Sequence, residues 1–176
     1  KKNKGVMAAT MHMGNMEAST VCTGENKIIT VAKKQRNPYI NDYITKLRGK
    51  ANYMEVIEKN ERTSRVLISK LREKKVIALF SDHRDKGAII NFFGKETKAP
   101  SGAVSMALKF DLPSLLVYNT FNDDNTITIY VTDEIELKKT GNFKEDVHNN
   151  VQYLINIMED VIRKHPEQWM WFHDRW

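Results

Sequence analysis

The sequence predicts an α/β layered fold in which a mostly parallel central sheet is flanked by helices. Two observations predict it. Short apolar runs alternate along the chain with stretches of helical periodicity, the order that lays helices on a parallel sheet. One run, Val76-Ile77-Ala78-Leu79-Phe80, is apolar without interruption, as in strands buried on both faces of such a sheet. A third observation bears on function. His12 and Asp82 each follow an apolar strand, and ligands of open α/β sheets gather beyond the carboxyl ends of strands.

The elements follow in order. Gly5–Met11 reads as a short buried strand ending at His12, and a helix is expected over Asn15–Thr23. A strand rich in Ile and Val spans Lys27–Ala32. Asn37-Pro38 signals a helix start, with Ile40, Tyr43, Ile44 and Leu47 at helical spacing behind it. Thr63–Lys74 is expected to be a helix with Val66, Leu67, Ile68 and Leu71 inward. The strand Val76–Phe80 comes next, then a short strand over Ala88–Phe93. Ser101–Lys109 reads as a small-residue helix entered through Pro100. Leu115–Thr120 and Thr126–Thr132 read as strands around the turn Asn122–Asn125. The last element is a long helix over Phe143–Lys164, stopped before Pro166.

With 176 residues and 41% hydrophobic content, the chain suits one compact domain with a sizeable core. The single Cys22 excludes a disulfide framework and fits a reducing compartment. No apolar run approaches the roughly 18 residues of a membrane span, and no signal peptide opens the chain. The net charge of +6 is unevenly spread: residues 1–75 carry 17 Lys+Arg against 7 Asp+Glu, a net of +10, and residues 76–176 a net of −4. A basic half attracts phosphates, nucleic acid, anionic lipid or an acidic carrier protein, and charge alone does not choose among them. A nucleic-acid surface calls for aromatics interleaved with the basic residues, and only Tyr39, Tyr43 and Tyr53 offer themselves. The expectation is no nucleic-acid partner.

His12-Met13-Gly14-Asn15-Met16-Glu17 places an H-x4-E pattern at a strand-to-helix turn. Five positions along one helix would set the two side chains about 140° apart. They can meet only if His12 lies in the turn and Glu17 folds back from the first helical turn. Glu17 would then fix the imidazole tautomer and make the other ring nitrogen a base, with the substrate hydroxyl as nucleophile. Gly14 would permit close backbone approach, and helix N-terminal amides near Gly14 and Asn15 could hold an oxyanion. Asp82-His83-Arg84-Asp85-Lys86-Gly87 could bind phosphate, orient a substrate or form a polar turn. Phosphate-binding and dinucleotide glycine loops are missing, and His148, His165 and His173 share no metal spacing and read as structural. No metal site is expected.

The H-x4-E block resembles the His-aromatic-Gly-Asn-Trp-Glu block of the lipid A late acyltransferases, the lauroyl and myristoyl transferases of Kdo2-lipid A assembly. It is more distantly similar to the H-x4-D block of glycerolipid acyltransferases. Further matching blocks follow in order: Arg36-Asn37-Pro38 with Arg48 downstream, Leu79–His83, Phe92-Phe93-Gly94, Ala99–Ala103, and Pro166–His173. Together they span about 160 residues of the chain. Met13 and Met16 stand where the family usually has aromatics, so chain length cannot be read from them.

The resemblance implies a glycerolipid-acyltransferase-like fold and an O-acyltransferase. Such an enzyme moves a fatty acyl group from acyl carrier protein, or coenzyme A, to a hydroxyl of a lipid A precursor in lipopolysaccharide biosynthesis. The alternative acceptor is a related glycolipid or lysophospholipid. By position His12 is implied as general base and Glu17 as its orienting carboxylate, with Arg36, Asn37, Arg48 and Asp82 as substrate-binding residues. No cofactor is implied beyond the acyl thioester donor. The implied partners are acyl carrier protein, the lipid A precursor and the anionic surface of the inner membrane, at its cytoplasmic face in a Gram-negative bacterium. Family members carry an N-terminal hydrophobic anchor, so residues 1–176 are expected to be a single catalytic domain separated from that anchor.

Overall fold

The computed structural model describes residues 3–17, 27–50 and 54–176. Six strands form one sheet in the order β3-β2-β4-β1-β7-β8. These are β1 (Val6–Thr10), β2 (Ile28–Ala32), β3 (Met54–Glu58), β4 (Val76–Phe80), β7 (Ser114–Phe121) and β8 (Ile127–Val131). The first five strands in that order run parallel, and β8 pairs antiparallel to β7. β5 (Ala88–Phe92) and β6 (Lys95–Ala99) make a separate antiparallel hairpin. The helices are α1 (Pro38–Lys50), α2 (Thr63–Arg72), α3 (Gly102–Phe110) and α4 (Phe143–Lys164). The predicted mostly parallel α/β sheet is the observed fold.

Each face of the sheet has its own job. Met7, Ile29 and Ile77 project to one face and pack with Leu67 and Leu71 of α2 and Ala103 and Ala107 of α3. Leu116 and Ala9 join a second cluster with Val104 of α3, Ile155, Met158 and Ile162 of α4, and Ile90 and Phe92 of β5. The opposite face walls a cavity of about 300 Å³. Its floor is laid out by strand register. Thr30, Ala78, Ala8 and Leu115 stand level across four strands, and the two alanines leave room above them. Phe80, Thr10, Val117 and Val131 form the next row toward the carboxyl ends.

The helix and strand expectations hold with three kinds of difference. The helix expected over Asn15–Thr23 falls largely outside the described residues, and its opening residues Met16 and Glu17 lie in a turn. Val66 of α2 is exposed while Leu67 and Leu71 are buried, because the covered stripe of a ten-residue helix is only two positions wide. Two strands had no counterpart in the periodicity. β3 is an edge strand with the mixed sequence Met-Glu-Val-Ile-Glu, and β6 reads Lys-Glu-Thr-Lys-Ala. β6 exists because Phe93 and Gly94 both take positive φ, 51° and 80°, which is the two-residue turn that folds a hairpin tightly. A phenylalanine in that place gives no turn signal.

The long helix α4 begins where its sequence says it should. The Asn142 side chain caps it by accepting from the Glu145 amide, and Glu145 and Asp146 lie in its first turn. Arg163 and Lys164 lie in the last turn, matching the helix dipole. Past His165, Pro166–Gln168 forms a single 3₁₀ turn that carries the chain back to the strand ends.

Candidate active site

Strand register brings His12 and Asp82 together. Thr10 of β1 is level with Phe80 of β4, and the Ser81 amide continues the ladder by donating to the Thr10 carbonyl at 2.9 Å. Each functional residue lies two positions beyond its strand. The His12 amide donates to Asp82 Oδ2 at 2.7 Å, and His12 Nδ1 lies 2.8 Å from Asp82 Oδ1. The Trp169 indole N–H donates to Asp82 Oδ2 at 2.8 Å. Asp82 is 1% exposed. Burial alone pushes its carboxyl up; the hydrogen bonds and charge of His12, joined by the Trp169 indole, outweigh that and hold it below the usual carboxylate range.

An ionised Asp82 can only accept, so His12 Nδ1 carries a proton, and in the neutral imidazole Nε2 then carries the lone pair. Among the described residues Nε2 has no hydrogen-bond partner. The ring stacks on Phe80 with centroids 4.2 Å apart. Phe80 and Thr10 are both cavity-wall residues, so the imidazole stands at the carboxyl end of the cavity. His83 and His173 approach the same ring, at 5.9 and 6.4 Å between centroids. Burial lowers the His83 imidazole below its ordinary value, Asp82 working against that. His173, expected to be merely structural, is thus a neighbour of the site. His12, Asp82 and His83 each offer one ligand atom, all within 4.8 Å of one another.

The carboxylate on the His12 ring is Asp82, not Glu17. Glu17 faces Arg48 of α1 instead: Arg48 Nε lies 3.1 Å from both carboxylate oxygens, and Nη2 also donates to Oε1. The pair lines the cavity next to Met16 and Thr10. The reason is the local backbone, since Gly14 sends the chain away from His12 before Glu17 is reached.

Gly14 and Asn15 shape this turn, and their amides are already engaged. Gly14 N–H donates to the Gln168 carbonyl at 3.0 Å and Asn15 N–H to Asn119 Oδ1 at 2.7 Å. They are therefore turn residues, and the oxyanion role expected of their amides does not fit this geometry. Gly14 has φ +55°, and a Cβ there would come within 2.5 Å of Asn119 Oδ1 and 2.6 Å of the Asn119 carbonyl oxygen. Gly14→Ala is expected to destabilise the chain by about 2–4 kcal/mol, combining a left-handed backbone with a clash against β7. Urea unfolding checks it; a loss under 1 kcal/mol or so would mean that the turn relaxes freely.

Arg36 and Asn37 lie elsewhere. Asn37 Oδ1 accepts from the amides of Tyr39 and Ile40 at 3.0 and 3.4 Å, an N-cap for α1. Arg36 is exposed on the preceding loop, and neither residue is among those that wall the cavity. Cys22 lies outside the described residues.

Three further residues hold the site and were not expected. Trp169 anchors Asp82. Asn119, at the carboxyl half of β7, receives the Asn15 amide. Gln168 spans from its carbonyl on Gly14 to its side chain, which bonds both backbone groups of Phe121 at 2.7 and 3.0 Å. The Met170 amide adds a bond to the His12 carbonyl at 3.0 Å. For Gln168 and Trp169 the sequence signal was the Pro166–His173 block of the family resemblance, which does not say what it touches.

A sequence model described as bacterial lipid A biosynthesis acyltransferase matches residues 1–176. The chain belongs to that family. No curated protein matches it at a significant level. Membership makes the chain an acyltransferase of lipid A synthesis, with a lipid A precursor as acceptor. In this lipid A acyltransferase the half-buried His12 and the buried Asp82 stand beside an apolar cavity.

Proposed function

We propose that this acyltransferase moves a fatty acyl group from an acyl carrier protein thioester, or a coenzyme A thioester, to a hydroxyl of the lipid A precursor, with His12 as general base. The observation that carries this reading is the His12–Asp82 pair at the end of an apolar cavity of about 300 Å³. That volume is at the lower end of the range of small-ligand sites. Each methylene of an acyl chain that enters leaves water with a gain of about 0.8 kcal/mol.

In the proposed mechanism His12 Nε2 takes the proton of the acceptor hydroxyl as its oxygen attacks the thioester carbonyl. Asp82 steadies the imidazolium that forms. The C–S bond then breaks, and the departing sulfur takes the proton back from Nε2, leaving ester, thiol and the starting tautomer. Arg48 is the cationic side chain of the cavity wall among the described residues, and Glu17 holds its guanidinium, so Arg48 is the donor proposed for the oxyanion. The thioester supplies the driving force, and the reaction as written calls for no cofactor.

The setting proposed is the cytoplasmic face of the inner membrane. Among the described residues no helix is long and apolar enough to cross a membrane. α1 supports surface contact: Tyr39 and Tyr43 are 83% and 64% exposed, with Ile40 and Leu47 also exposed on the same helix. Lys33, Lys34, Arg36 and Lys46 surround that stripe and are exposed as well. Aromatic and basic side chains together suit an anionic lipid surface, and the same positive charge suits an acidic carrier protein.

The test is incubation of the chain with acyl carrier thioester and a tetra-acylated lipid A precursor, read by mass spectrometry. The expected product is the precursor heavier by one acyl group. Acylation of a lysophospholipid in preference to that precursor would overturn the acceptor assignment.

A further inference from the structure

We propose that His12, Asp82 and His83 form a binding site for a transition-metal dication of the Zn²⁺ class, and that its occupation switches acyl transfer off. Three facts carry the proposal. The three residues present ligand atoms within 4.8 Å of one another. Asp82 is buried and pinned through Oδ2 by the His12 amide and the Trp169 indole, which leaves Oδ1 on the His12 side. Among the described residues His83 Nδ1 is buried with no hydrogen-bond partner, and a native structure rarely leaves such a nitrogen unsatisfied without a reason.

The donor set selects the metal class. Two imidazoles and one carboxylate suit Zn²⁺ and its neighbours, whereas Mg²⁺ and Ca²⁺ favour oxygen ligands throughout. Bonds of about 2.0–2.1 Å in a tetrahedron put ligand atoms roughly 3.3 Å apart. The pair His12 Nδ1 and Asp82 Oδ1 is already at 2.8 Å. Closure falls to His83, the half-exposed member on the loop between β4 and β5. Water can complete the shell.

The chemical consequence follows from one proton. In the metal-free dyad Nδ1 carries it and Nε2 has the lone pair. A metal on Nδ1 needs that lone pair, so the proton shifts through solvent to Nε2. Nε2 then becomes a donor and can no longer take a proton from a hydroxyl. No proton is gained or lost in the exchange. The loss of activity rests on the proposed role of His12 as base; the binding itself does not.

The test uses Zn²⁺ alone on the whole chain, in competition with a chromophoric chelator, and Co²⁺ as a spectroscopic substitute. One equivalent is expected to bind, with visible Co²⁺ bands of a low-coordinate site. His83→Ala and His83→Gln are each expected to weaken binding by at least about ten-fold and to lose those bands. In acyl-transfer assays Zn²⁺ is expected to inhibit the wild-type chain reversibly, with recovery on adding EDTA. The His83 variants should turn over at near wild-type rate and resist Zn²⁺. Equal Zn²⁺ binding by wild type and both variants would overturn the site, and so would equal sensitivity of their turnover. If the chain binds Zn²⁺ through His83 yet transfers no acyl group in any condition, the catalytic reading fails while the metal site stands.

Discussion

His12→Asn is expected to lower acyl transfer by about 10³-fold while leaving the fold intact. Asparagine is the informative choice because its amide nitrogen can stand near the place of Nδ1. There it can still donate to Asp82 Oδ1, which the imidazole meets at 2.8 Å. What it cannot supply is the second ring nitrogen with its lone pair. His12→Ala removes both at once, leaving Asp82 with an unpaired buried oxygen at a cost of about 1–3 kcal/mol. A loss of activity in the alanine variant is therefore open to a structural explanation, and the same loss in the asparagine variant is not. Mass spectrometry of the acylated product gives the rate and thermal unfolding gives the fold. Turnover within about ten-fold of wild type would remove His12 from the role of base, because general-base catalysis is worth at least 10²-fold or so.

Most of the sheet could be read from the sequence, and the reason is visible in its two faces. The runs Val-Met-Ala-Ala-Thr and Val-Ile-Ala-Leu-Phe are apolar at odd and even positions alike, which predicts burial on both sides. Helices α2, α3 and α4 meet that expectation on one side. On the other, Val76, Ala78 and Phe80 are only half-buried and face a cavity. The pattern reported the chemistry of the second face correctly without saying that a cavity, and not a helix, would lie against it. Edge position hid β3, and an αL phenylalanine hid β6.

The site was legible in part. His12 and Asp82 stood out because each follows a strand, and parallel pairing of β1 with β4 then makes them neighbours. Their direct bond was not legible. It spans 70 positions and depends on register, which an apolar run cannot fix to one residue. Glu17, only five positions away, was the natural candidate until Gly14 turned the chain. Arg48, which the resemblance implies as a substrate-binding residue, lies against Glu17 on the cavity wall, whereas Asn37, implied in the same role, caps a helix. Trp169 lies 87 positions from Asp82, and no local rule connects an indole to a carboxylate at that distance.

Asp82→Asn is expected to be as damaging as loss of the base itself, by about 10³–10⁴-fold in turnover, through the tautomer. The side chain at 82 has two tasks. Oδ2 accepts from the His12 amide and the Trp169 indole, and Oδ1 accepts from His12 Nδ1. An asparagine satisfies the first pair with its carbonyl oxygen, so its NH₂ group must face Nδ1. Nδ1 then has to accept, the proton moves to Nε2, and the base disappears with every heavy atom in place. Stability falls too, by roughly 1–3 kcal/mol at neutral pH, because charge-assisted bonds become neutral ones. The pH dependence gives the independent check. Asp82 is held below its usual range in the folded chain, so its contribution is complete above the unfolded-state value of about 3.9. It is lost as pH falls from there through the folded-state value. The advantage of wild type over Asp82→Asn in urea unfolding should thus be largest at neutral pH and shrink on acidification below about pH 4. A difference that stays constant from neutral to acid pH would show that Asp82 is not ionised in the folded chain, and the tautomer assigned to His12 would fall with it.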